Sequence, residues 1–183
     1  PLDGSAELRY ADGTLELPRV RLTAGEARVE ASGRVDERIA IDWSVAIPDI
    51  RALAGIGGGR LTGSGRIGGS PAQPSVVARV EGAALEWQTL RIDALSLGAD
   101  AGLADDRDST VEVSLTGVDA GGESLQRVTA SLVGRPADHR LEIAAAGPRG
   151  AVDLAATGAL EGVDWRGRLT ALQLRPTERA AWT

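Results

Sequence analysis

Cysteine, methionine, phenylalanine and lysine are all missing from this 183-residue chain, and it holds only one tyrosine and one histidine. Without cysteine there is neither a disulfide framework nor a thiolate zinc site, and cysteine usage says nothing about compartment. A single imidazole, His139, excludes metal sites built on two histidines. The formal charge is −6 and all 20 basic residues are arginine, so the basic face that a phosphate backbone requires is absent and nucleic acid is not an expected partner. No run of about 18 apolar residues could span a bilayer. The chain opens on Pro1 with no basic-then-apolar leader, and it reads as an excised, soluble piece of a larger protein whose targeting signals lie elsewhere.

What remains is aliphatic. Hydrophobic residues make up 43% of the chain, but with four tryptophans and one tyrosine the interior must come from Leu, Val, Ile and Ala. Aromatic side chains bury about 150–250 Å² each, and their scarcity hints that the apolar surface does not close on itself. That surface is patterned with period two, the signature of strands with one buried face. Ile39, Ile41, Trp43, Val45 and Ile47 alternate with Ala40, Asp42, Ser44 and Ala46. The same beat returns in Ala27-Val29-Ala31, Val76-Ala78-Val80, Val111-Val113-Leu115, Val128-Ala130-Leu132, Leu141-Ile143-Ala145, Val152-Leu154-Ala156 and Leu169-Ala171.

Turn chemistry predicts reversals at Asp12-Gly13, Ala24-Gly25, Ala101-Gly102, Gly121-Gly122 and Pro148-Arg149-Gly150. Strands are expected to stop at Gly and restart at Gly33-Arg34-Val35, Gly59-Arg60-Leu61, Gly65-Arg66-Ile67 and Gly167-Arg168-Leu169, a degenerate repeat without fixed period. One helix of one or two turns is predicted over 48–54, where Pro48 and Asp49 suit a first turn and Gly57-Gly58-Gly59 would end it. The stretch Gly68–Pro74 reads as a loop between two strand-rich blocks. The fold class is therefore all-β, with blocks at 1–58 and 59–183 expected to form one continuous elongated domain.

No motif carries catalysis. Gly63-Ser64-Gly65-Arg66-Ile67-Gly68 matches G-x-G-x-x-G, but two prolines follow instead of a helix, so it reads as a Gly-rich strand and turn. Asp105, Asp106 and Asp108 lack any calcium-loop spacing and read as a solvated hairpin tip. His139 has no G-x-S-x-G elbow to serve, and is expected at the surface or at a strand start after the Pro136-Ala137-Asp138 turn. Trp43, Trp87, Trp165 and Trp182 could form a ligand platform, but are read as core or boundary residues. The chain is expected to be no enzyme and to need no cofactor or metal.

The junction Gly63–Pro74, the His139-Arg140-Leu141-Glu142-Ile143 strand leading through Gly147 to Val152-Asp153-Leu154 and Gly158, and the closing Trp165-Arg166-Gly167-Arg168-Leu169-Thr170-Ala171-Leu172-Gln173-Leu174 with Trp182 together resemble the TamB family of the AsmA-like group. The resemblance runs from about Gly59 to the end, and reaches the N-terminal block only through its strand pattern. It implies an elongated, curled, antiparallel-rich sheet, the β-taco, with a hydrophobic groove. It also implies a periplasmic segment of an inner-membrane-anchored Gram-negative protein that carries phospholipid between membranes and serves outer-membrane biogenesis with a TamA-like partner.

On that reading the groove takes phospholipid acyl chains. Its candidate residues are Ile39, Ile41, Trp43, Val45, Ile47, Val76, Val80, Val111, Val113, Leu115, Val128, Leu132, Leu141, Ile143, Val152, Leu154 and Leu169. Two alternatives stand beside it: a scaffold for outer-membrane protein assembly acting by β-augmentation, and a closed β-sandwich whose apolar face is simply its core.

Overall fold

A computed structural model describes residues 2–54, 57–104, 107–161 and 164–177. Twelve strands follow one another in a single sheet: β1 (Leu2–Ala11), β2 (Thr14–Ala24), β3 (Ala27–Val35), β4 (Ile39–Ile47), β5 (Gly58–Gly69), β6 (Pro74–Trp87), β7 (Leu90–Gly102), β8 (Ser109–Ala120), β9 (Glu123–Arg135), β10 (Asp138–Gly147), β11 (Gly150–Glu161) and β12 (Asp164–Pro176). Each pairs antiparallel with its sequence neighbours, so the spatial order equals the chain order. The helix, α1 (Ile50–Ala54), fills the β4–β5 connection and packs on β5. The sheet runs without interruption through β4 and β5 and then through β5 and β6. Eleven inter-strand steps of about 4.8 Å make it roughly 50 Å long.

Most reversals fall where the turn residues put them, but two do not. Ala101-Gly102 closes β7, and the chain turns only in the segment after it. The β6–β7 hairpin turns at Gln88-Thr89, with no glycine, because Gln88 itself adopts a left-handed φ of 51°. The four Gly-Arg-aliphatic triplets also differ from expectation. All lie within strands, two of them in β5: Gly33-Arg34-Val35 and Gly65-Arg66-Ile67 pair on both sides, Gly167-Arg168-Leu169 pairs with β11, and Gly59-Arg60-Leu61 pairs with β6 past a register shift at Gly59. Asp105, Asp106 and Trp182 lie outside the described residues.

No sealed interior exists. None of the described residues is less than 2% exposed, and the buried hydrophobic ones are Ala27, Val118, Ala155 and Ala156. Packing between elements is concentrated on ladder neighbours, and among the described residues no second layer faces the sheet. The closed-sandwich reading is therefore overturned: a meander whose strands each pair with the next has no second sheet to cover its apolar face.

Candidate functional site

The ladder register decides which side chains share a face, because directly paired residues point the same way. One row runs Leu22–Val29–Val45–Gly63–Val80–Leu97–Val113–Ala130–Ile143–Leu154–Leu172 from β2 to β12, without a charged or polar member. A parallel row carries Trp43, Ala78, Val111, Leu132, Leu141, Ala156 and Leu169. Another carries Ile47, Leu61, Leu95, Leu115, Val128, Val152 and Leu174. Ile41, Ile67 and Val76 continue the face toward the opposite strand ends, next to Ile39. Every groove candidate named from the sequence lies on this one face.

Along β4 the contrast between faces is complete. Ile39, Ile41, Trp43, Val45 and Ile47 are half-buried although nothing covers them, whereas Ala40, Asp42, Ser44 and Ala46 are exposed. On this strand the apolar side chains shield one another, whereas Leu169, Leu172 and Leu174 of β12, on the same face, are more than half exposed. The outer face carries ion pairs instead: Arg21 with Glu30, Arg66 with Asp42, and Arg175 with Asp153 bridge neighbouring strands. The Arg66 pKa is raised, first by the hydrogen bond its Nε donates to Asp42 Oδ1 at 2.7 Å and then by the Asp42 charge.

Sequence reasoning missed part of this face. Leu95, Leu97, Leu61, Leu172 and Leu174 share it. A line of backbone distortion at Gly59, Ala84 and Gly117 interrupts the ladders of β5 to β8. A Cβ on Gly82 would meet the Leu85 side chain, so across this line the apolar beat resumes three residues later on the same face. In β12 the register shifts at Ala155/Ala156, so Leu169 pairs with Ala156 while Ala171 pairs with Ala155. Ala171 thus leaves the face of Leu169, contrary to the simple alternation. The outer face also dips at β8–β12, where a basin of about 520 Å³ is lined by Ser114, Thr129, Ser131, Ala144, Asp153 and Ala171.

The tryptophans do not assemble. Trp43 lies on β4, Trp87 at the end of β6 and Trp165 on β12, and the latter two are half exposed. Trp43 is bedded on Gly65, where a Cβ would come within 2.8 Å of the indole. His139 stands at the start of β10 as expected, but it is buried rather than superficial, because Trp165 of β12 lies against it.

The chain matches the family model described as TamB, N-terminal domain, over residues 1–183. It belongs to the TamB family. The match takes in the N-terminal block, where the sequence offered only a strand pattern, and the curled open sheet with its uncovered apolar face is the architecture that membership implies. Comparison with curated proteins returns no match, and neither does comparison with solved structures.

Proposed function

We propose that this TamB-family chain forms part of a periplasmic hydrophobic trough along which phospholipid acyl chains pass between the inner and outer membranes, serving outer-membrane biogenesis without catalysing a reaction. The observation that supports this most is the unbroken apolar row from Leu22 to Leu172, open to solvent across eleven strands. Hiding about sixteen methylenes at ~0.8 kcal/mol each offers on the order of 12 kcal/mol per chain. A gap in the strip would return that barrier, so many similar aliphatic strands suit movement better than a few specific side chains. Headgroups stay in water beyond the rims.

The test is a charge set into the row. In the full-length protein, Val113→Glu or Ile143→Glu abolishes photocrosslinking of phospholipid to the trough. Undiminished crosslinking in both variants contradicts the proposal.

A further inference from the structure

At the rim beside the β9–β10 turn the apolar face deepens into a cavity of about 520 Å³, walled by Val76, Leu103, Val111, Leu132, Leu160 and Trp165. His139 also lines it and is 7% exposed. Both imidazole nitrogens are engaged. The Trp165 indole Nε1–H donates to His139 Nε2 at 2.7 Å, and His139 Nδ1 lies 3.3 Å from the carbonyl oxygens of Arg135 and Pro136. An indole only donates and a carbonyl only accepts, so this geometry requires the neutral ring with its proton on Nδ1.

The indole's position is equally specific. A Cβ on Gly158 would fall 2.7 Å from the ring, and one on Gly167 would also clash with it. Trp165 therefore lies across two bare backbone positions of β11 and β12. Since half its surface faces solvent, burial alone does not hold it there.

We propose that His139 is a proton-sensitive latch on Trp165: the neutral imidazole holds the indole as a wall of the rim cavity, and protonation at Nε2 releases it. The added proton comes from solvent and occupies the lone pair that accepted the indole N–H. Two donors then face each other, while the Nδ1–H bonds to the turn carbonyls persist. Among the described residues Arg135, from β9, is the charged residue that lines the same cavity besides the histidine, and its guanidinium is bonded to Asp108, which precedes β8. Asp138 and Arg140 flank His139 on its own strand and alternate to the other face, as Asp164 and Arg166 do around Trp165 on β12. Ser109 on β8 and Leu160 on β11 contribute no titrating charge. Among the described residues no carboxylate lines the cavity to take the released bond. The latch is a property of the fold and does not rest on what occupies the trough, for which His139 is a positioning residue.

Because the chain has one histidine, its titration can be followed without ambiguity by nitrogen-15 NMR of the imidazole. The Trp165 indole N–H is assigned by its loss in Trp165→Phe. Expected are the Nδ1–H tautomer while the ring is neutral, a downfield indole resonance, and its upfield shift in step with protonation of the imidazole as the pH is lowered. In His139→Gln, whose amide oxygen still accepts but does not titrate, the pH-dependent shift is lost. The proposal is overturned if His139 titrates while the indole stays still, if acid unfolds the sheet before His139 protonates, or if the indole shifts equally in His139→Gln. Should that variant fail to fold, the wild-type titration decides alone.

Discussion

Trp43 is the widest side chain on the apolar face of β4, and it fits because Gly65 opposite offers nothing to displace it. A side chain there must push aside either the ring or the Val77 carbonyl of the next strand. Gly65→Val is therefore expected to destabilise the sheet by about 1–3 kcal/mol, the usual cost of overpacking. A urea unfolding midpoint equal to wild type would contradict that packing. Gly117 is constrained differently. It sits at φ 58° with the Asp93 carboxylate where a Cβ would go. Gly117→Ala is expected to cost at least ~1 kcal/mol in the same measurement, since both the left-handed backbone and the collision oppose it. By contrast, the outer ion pairs such as Arg21–Glu30 and Arg66–Asp42 are exposed, and removing one should change stability little.

Among the elements, the β6–β7 hairpin shows what the sequence concealed. Its turn residue Gln88 takes a left-handed conformation that glycine adopts freely, so Gln88→Gly is expected to raise stability by up to ~1 kcal/mol. A lower unfolding midpoint in that variant would mean that Gln88 contributes a contact outweighing its strain. The same hairpin was illegible as a turn because Trp87-Gln88-Thr89-Leu90 contains none of the usual turn residues. β4 was legible throughout, since its alternation is strict and its ladders with β3 and β5 are regular. β2 and β7 were not: the register shifts between Leu17 and Val20, and Ile92 and Leu95 fall on either side of the distorted line. A period-two reading breaks wherever a bulge adds a residue. Partnership between distant residues was also beyond reach, as with His139 and Trp165, which are 26 positions apart and meet only when β10, β11 and β12 are laid side by side.

At the scale of the molecule, a chain-order meander gives twelve strands one shared apolar face, and the described residues supply no second layer to cover it. Scarcity of aromatic side chains suits that arrangement, because a trough needs even aliphatic walls more than it needs bulk to fill a core. The most direct measurement is a parity scan in the full-length protein, placing a photoreactive residue in turn at Val29, Val80, Val113 and Ile143, and at their outward neighbours Glu30, Arg79, Glu112 and Glu142. Phospholipid adducts are expected at all of the first set and at none of the second. Equal labelling of both sets, or labelling confined to a single strand, would contradict a continuous lipid-carrying face.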